Sequence, residues 1–365
     1  MTIGIVGAGQ LGRMLALAGY PLGLDFLFLD RSADTPGGQV APILCGEFTD
    51  RRLLRKLAAR SQVVTFDWEN VSVEALRSLA GTRICPPVAA LAASQDRVSE
   101  KRLFEKLSIP TTRWRAVDTL TGLERAARDI GMPGVVKTRR MGYDGKSQAV
   151  VRNARDLASA WQRLGDAPLL YEERVPFDDE VSIIGARSAR GELAVYPLNG
   201  NVHVDGILRL TRAPFGSRRL QRLASRYLTR VLTHFRYVGV LTIEFFVRDG
   251  RLVANELAPR VHNSGHWTIE GALTSQFENH LRAILGLPLG PTGWRGHCAM
   301  VNIIGHMPPR ARLLRSGDVH LHHYGKEPRP GRKLGHCTLV EGTARARDRR
   351  ARDLLRELAP GIGIP

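Results

Sequence analysis

The first thirty residues, MTIGIVGAGQLGRMLALAGYPLGLDFLFLD, leave few folds open. Thr2–Val6 is a short apolar run, and Gly7-Ala-Gly9-Gln-Leu-Gly12 follows it. Leu11, Met14, Leu15 and Ala18 then recur on one helical face until about Gly19. Leu24–Leu29 is a second strand, ending at Asp30. Strands joined by a helical crossover run parallel, and a parallel sheet needs cover on both faces. GxGxxG between strand and helix is the dinucleotide fingerprint, with an acid at the next strand's end for the ribose. Taken literally it predicts NAD, and these thirty residues alone favour a dinucleotide enzyme. The competing reading is a relative of the fold whose helix N-terminus holds a different anion.

At 365 residues the chain is too long for one typical core, so two or three domains are expected. A hydrophobic fraction of 43% and a charged fraction of 24% are those of a soluble globular protein. No apolar run is long enough to span a membrane, and the N-terminus lacks the basic start of a signal peptide. Cys45, Cys85, Cys298 and Cys337 form no CxxC pair, which argues against zinc or a disulfide framework and predicts a cytoplasmic setting. The net charge of +18 raises nucleic acid as a partner. The basic residues are spread along the chain without an aromatic-interleaved stripe, so anionic small substrates explain the charge as well, and no nucleic acid is expected. Lysine occurs seven times against 53 basic residues in all, and four of those lysines fall in 135–148 and 324–336. Where a planar fork cannot replace a compact ammonium, lysine persists, which marks both segments as chemical sites.

Along the chain, Arg51–Ala59 reads as helix, Val63–Phe66 as strand and Val73–Leu79 as helix. Asp67-Trp68-Glu69-Asn70 follows the strand, at the end where parallel sheets bind ligands, with Glu69 the preferred ligand residue and helix capping the plainer role. Ala89–Leu107 reads as one helix, Leu123–Ile130 and Ala154–Leu164 as others, and Leu169–Glu173 as a strand. Within this unit lies Val135–Gln148, VVKTRRMGYDGKSQ, whose glycines and lysine suit a phosphate loop as well as an ordinary basic hairpin. Residues 296–365 read as short strands and turns.

The segment 238–260, VGVLTIEFFVRDGRLVANELAPR, is a hairpin turning at Asp249-Gly250. Glu244 and Asn255-Glu256 sit in its apolar strands with no basic neighbour in either, and buried unpaired charge is costly. Two carboxylates and an amide oxygen suit Mg2+ held jointly with substrate phosphates. Side chains alternate faces along a strand. A two-residue loop would therefore set Glu244 opposite Asn255, whereas a longer loop or one bulge brings Glu244 and Glu256 together. The odd register is the expectation.

These segments together resemble the ATP-grasp superfamily, and within it the N5-carboxyaminoimidazole ribonucleotide synthetases of purine biosynthesis. The resemblance rests on GAGQLGRM at 7–14, VVKTRRMGYDGKSQ at 135–148, EVSIIGAR at 180–187, NGNVHVDGIL at 199–208, NELAPRVHNSGHWT at 255–268 and YGKEPRPGRKLGH at 324–336. It implies an α/β and α+β ATP-grasp architecture: a Rossmann-like pre-ATP-grasp domain over 1–98, a lid over 99–180, a catalytic subdomain over 181–295 and a β-rich part over 296–365. It also implies a homodimer and three substrates: ATP, bicarbonate and 5-aminoimidazole ribonucleotide, carboxylated through carboxyphosphate.

Carried over by position, Arg97 and Lys137 would contact ATP phosphates, with the loop Gly142, Tyr143, Asp144, Gly145, Lys146, Ser147 and Gln148. Glu172, Glu173, Arg174 and Val175 would line the adenine hinge, Glu180 would hold the ribose, and His203 would approach the nucleotide. Glu244 and Glu256 would bind magnesium, with Asn255 beside them. The ribonucleotide would meet Gln10, Leu11, Glu69, Tyr143, Asp144, Arg260, His262, Asn263, Lys326 and Arg332. Lys137, Arg260 and Asp144 would be catalytic. On this reading Gly7–Gly12 receives the substrate's phosphate and the NAD reading falls. Lys146-Ser147 departs from the family's arginine–glycine, as Asp67-Trp68 does from its glutamate and aromatic. A formate-dependent glycinamide ribonucleotide transformylase is the rival enzyme, differing in 255–268 and 324–336. His266, His280, His297, His306, His320, His322, His323 and His336 match no compact zinc spacing.

Overall fold

A computed structural model describes residues 1–79, 81–142, 147–315 and 317–358. Three sheets organise it, in chain order. β1 (Thr2–Val6), β2 (Asp25–Asp30), β3 (Ile43–Cys45) and β4 (Val63–Phe66) form a parallel sheet ordered β3-β2-β1-β4. Buried on both faces, these strands read as near-continuous apolar runs. The helix Gln10–Gly19 covers one face and packs on the helix Gln276–Leu285. Gly19 permits that approach, since a Cβ there would lie 2.3 Å from Phe26 and 3.1 Å from Leu281.

The second sheet is antiparallel, ordered β5-β8-β6-β7 from β5 (Trp114–Val117), β6 (Gly134–Thr138), β7 (Gln148–Val151) and β8 (Leu169–Glu173). Helices Leu120–Ile130 and Ala154–Leu164 cover it, capped by Thr119 and Asn153. Val117, Leu123, Val136, Leu157, Leu169 and Tyr171 close a core of its own.

The third sheet has nine strands. They are β9 (Asp179–Arg187), β10 (Leu193–Val195), β11 (Asn199–Val204), β12 (Ile207–Ala213), β13 (Gly239–Arg248), β14 (Arg251–Ala258), β15 (His297–Ile304), β16 (Val319–His323) and β17 (Lys333–Glu341). The order is β14-β13-β9-β11-β12-β15-β17-β16, with β10 on β9. Strands from 296–341 thus continue the sheet begun at Asp179 through the antiparallel pairing of β12 with β15.

Two expectations need correction. The stretch 89–107 is not one helix: Val88–Ser94 ends before Arg97–Lys106 begins, and Asp96 caps the second by accepting from Val98 and Ser99 N–H. A carboxylate that caps must leave helical geometry. The tail is not all strand and turn either. Ala344–Leu358 is a 15-residue helix whose Ala351, Leu354 and Leu355 pack under the third sheet. Its six arginines surround a narrow apolar stripe, which masks the helical period in the sequence.

Candidate active site

The three sheets face a common cleft of about 670 Å³. At its upper edge stands the glycine turn. Here the acids expected to serve a ligand serve the backbone instead. Ala8 N–H donates to Asp30 Oδ2 at 2.7 Å, and Gly12 N–H donates to Asp67 Oδ2 at 3.1 Å. A Cβ at Gly7 would sit 1.9 Å from Asp67 Oδ1, and one at Gly9 would sit 2.9 Å from Oδ2, so the glycines make room for a carboxylate. Burial lifts the Asp67 carboxyl to about 6, offset in part by the Gly12 and Gly9 amides. Gln10 and Leu11, at the start of this helix, line the cleft.

In the hairpin the turn is two residues long, Arg248 pairing with Arg251, and Asp249 and Gly250 both have positive φ (49° and 66°). A bulge at Asn255, which has no partner on β13, then shifts the register, so Glu244 pairs directly with Glu256. Both carboxylates share one sheet face, which is the odd register expected. Asn255 Oδ1 is buried with no hydrogen-bond partner. Burial and the neighbouring Glu256 raise the Glu244 carboxyl to about 7. Two close carboxylates with an orphan amide oxygen fit a magnesium ion. Among the described residues no three His, Cys, Asp or Glu side chains form a metal site by themselves, so phosphate oxygens would complete the coordination.

Beside this pair, Lys137 from β6 meets Glu172 from β8, and Lys101 Nζ reaches the same carboxylate at 3.0 Å. Thr112 Oγ1 also donates to it at 2.7 Å. Burial would raise Glu172, but the two ammoniums dominate and hold it far below the usual range. Burial lowers Lys137. Its side chain is thus anchored by Glu172 rather than solvated. Arg97 Nη1 lies 3.6 Å from Glu256 Oε2. Arg139 and Arg140 both meet Asp96, at 2.8 and 3.4 Å. His203 Nδ1 is 2.9 Å from Glu180 Oε2; burial opposes protonation, but that bond and the Glu244 charge push it up to about 9.

Glu173, Arg174, Val175, Gly142, Ser147 and Gln148 line the same cleft. Val135, Phe177 and Phe246 add an apolar wall to it, with the two rings stacked at 4.8 Å. Tyr143, Asp144, Gly145 and Lys146 lie outside the described residues.

At the other end Arg260 pairs with Glu69, joining the third sheet to the first. His262 Nε2 is 3.4 Å from Glu244 Oε1. Asn263 exchanges two amide bonds with Asn302, at 3.1 and 2.8 Å. Lys326 Nζ donates to Gln10 Oε1 at 2.5 Å, while Arg332 Nη1 donates to Glu327 O at 3.1 Å. Lys333, not named from sequence, lines the cleft where Arg332 was expected.

Glu100, Lys101, Phe177 and Phe246 were also missed. Lys101 carried a signal in its rarity, and Phe246 in its i, i+2 relation to Glu244. Glu100 carried none: only the fold brings its Oε1 to Leu257 N–H at 2.6 Å, where burial raises the carboxyl to about 8. Of the remaining histidines, His266, His280 and His336 are buried, and His322 bonds Glu270 at 2.6 Å.

Comparison with known proteins agrees with this geometry. Three family models match: the ribonucleotide synthetase preATP-grasp domain over 1–95, the ATP-grasp domain over 102–277, and the phosphoribosylaminoimidazole carboxylase C-terminal domain over 298–350. The N5-carboxyaminoimidazole ribonucleotide synthase of Pseudomonas aeruginosa is 49% identical over 340 residues, 93% of this chain and 94% of that one. The Bacillus subtilis enzyme of that name is 35% identical over 349 residues, 93% and 91% of the two chains. The crystal structure of the Thermus thermophilus synthetase superposes with a TM-score of 0.94 at 49% identity over 100% of both chains. That of the Aspergillus clavatus enzyme in complex with ADP and 5-aminoimidazole ribonucleotide gives 0.89 at 30% identity over 98% of each. This chain therefore belongs to the N5-carboxyaminoimidazole ribonucleotide synthase family of ATP-grasp ligases.

Proposed function

We propose that the cleft carries out the family's reaction in the following way. ATP phosphorylates bicarbonate to carboxyphosphate, and the exocyclic amine of 5-aminoimidazole ribonucleotide captures the carboxyl group, leaving ADP and phosphate. The observation that carries this reading is one continuous cleft in which the Glu244–Glu256 pair, Lys137 and Arg97 lie between the apolar wall and the Glu69–Arg260 pair. The adenine lies against Val135, Val175, Phe177 and Phe246, and Glu180 meets the ribose. Lys137 and Arg97 exchange their carboxylate partners for phosphate oxygens, which are equally good charge-assisted acceptors.

Glu244, Glu256 and Asn255 Oδ1 would hold magnesium. When bound, magnesium neutralises phosphate charge during transfer. Gln10, Leu11 and Lys326 receive the ribonucleotide phosphate, and Arg260 and His262 present donors to the carboxylated oxygens. The 99–180 subdomain, which carries its own core, closes as a lid, excluding the water that would hydrolyse carboxyphosphate. Cytoplasmic location and a homodimer belong to this proposal. The latter is checked by light scattering, where a monomer at working concentration would reject it.

ADP release that requires both bicarbonate and 5-aminoimidazole ribonucleotide tests the reaction. Dependence on formate instead would select the transformylase reading. Steeply salt-dependent duplex binding without ATP turnover would select nucleic acid.

A further inference from the structure

One row across the third sheet carries Glu256, Glu244, Ser182 and Asn199 on neighbouring strands β14, β13, β9 and β11. A chain of buried hydrogen bonds leads from this row to His262, and its direction can be worked out from an end that is chemically unambiguous. Trp267 Nε1 donates to Asn199 Oδ1 at 2.9 Å. An indole N–H can only donate, so the amide oxygen faces Trp267 and Asn199 Nδ2 faces Ser182 Oγ at 3.3 Å. Asn201 Nδ2 donates to the same hydroxyl at 3.0 Å, while its Oδ1 accepts from Thr211 Oγ1 at 3.1 Å.

With two donors already on its oxygen, Ser182 sends its own proton to Ser264 Oγ, 2.8 Å away. Ser264 in turn sends its proton to His262 Nδ1 at 2.8 Å, and the Ser264 backbone N–H approaches that nitrogen at 3.3 Å. His262 Nδ1 is therefore an acceptor. An imidazolium is protonated on both nitrogens, so a ring that accepts at Nδ1 is neutral. A neutral ring accepting at Nδ1 carries its proton on Nε2, the atom that faces Glu244. Ser182, Ser264 and Asn199 are fully buried, so water does not compete for these bonds.

We propose that Ser264 and Ser182 are positioning residues that hold His262 in its Nε2–H tautomer, presenting a fixed hydrogen-bond donor to substrate oxygens between Glu244 and Arg260. The proposal rests on the reading of His262 as substrate-facing. Neither serine touches the cleft. Their effect is to make one ring nitrogen a donor at all times, so that no tautomer exchange precedes the reaction.

The test uses full-length protein labelled with 15N-histidine, and two-bond 15N–1H correlation to read each ring's tautomer. The His262 pattern is identified by its loss in His262→Asn. Wild type is expected to show a protonated Nε2 and an unprotonated Nδ1. Ser264→Ala is expected to show a mixture, with kcat about tenfold lower, the loss of roughly one oriented hydrogen bond, and an unchanged KM for ATP. Ser182→Ala, which does not touch His262, is expected to shift the pattern in the same direction and serves if the first variant does not fold. An unaltered tautomer in both variants would overturn the proposal, whatever happens to turnover. A mixed tautomer with native kcat would leave the relay standing and overturn instead the reading of His262 as substrate-facing.

Discussion

At the residue scale, the site is built from charges that already have partners. Lys137 and Lys101 share Glu172, Arg97 leans on Glu256, and Arg260 holds Glu69. Breaking a buried pair leaves the other charge stranded, so truncation costs more than the contact it removes. Lys137→Ala and Glu256→Ala are each expected to abolish ADP release while far-UV circular dichroism stays native; near-native turnover in either would reject its role. Asp67 makes a pH prediction. Its folded carboxyl titrates near 6, above its unfolded value of 3.8, because burial penalises the charge. A raised carboxyl favours folding only while it is protonated. Its contribution is therefore full below about pH 4 and is lost as pH rises through about 6. Asp67→Asn should remove that part of the slope, on the order of 3 kcal/mol, when urea unfolding is compared at pH 4 and pH 7. Parallel profiles for the two proteins would reject the assignment.

At the scale of elements, one inserted residue decides the chemistry of the hairpin. Had β13 and β14 paired without a bulge, the two-residue turn would have sent Glu256 to the opposite face from Glu244. Exchanging the two residues, Asn255→Glu with Glu256→Asn, is expected to leave the hairpin formed, move the second carboxylate off the position opposite Glu244, and lower magnesium-dependent ADP release at least a hundredfold, about 3 kcal/mol. Retention of magnesium dependence at native level would show that the carboxylates do not act as a pair. The same scale explains the loop after β1. Its glycines admit Asp67 beneath the helix Gln10–Gly19, so a carboxylate of the protein's own takes up amide donors at the start of that helix.

At the scale of the molecule, the first and third sheets are held together by a shared core in which Phe26, Leu281, Ile184 and Trp267 take part, whereas the second sheet keeps its apolar residues to itself. On the proposed reading the first and third sheets form the rigid base and the second sheet belongs to the lid. Leu281→Ala is expected to cost 2–5 kcal/mol, the usual range for a buried leucine, and to lower the thermal midpoint without changing the substrate requirement. Val136→Ala is expected to cost a similar transfer-plus-cavity penalty within the lid alone, read as faster amide exchange confined to 114–173. Exchange rising equally in the first sheet would show that the lid is not a separate unit.

Much of this was present in the order of residues. Strand, glycine turn and helix are local in sequence, so the parallel start, the hairpin turn at Asp249-Gly250 and the phosphate-loop composition of 135–148 could be read before any coordinates. So could the need for an odd register, because face alternation is a property of every strand. What the linear chain could not decide was which acid goes where. Asp30 and Asp67 look like ligand residues until the fold packs them against backbone amides, and Glu100 looks like a surface helix residue until β14 arrives beside it. The capping role of Asp96 and the helix Ala344–Leu358 were likewise settled by what lay across the fold. Periodicity and turn chemistry act over a few residues and leave their mark in sequence. Burial, and with it the partner and charge state of each buried group, is conferred by neighbours a hundred or more residues away, and only the tertiary structure brings them together.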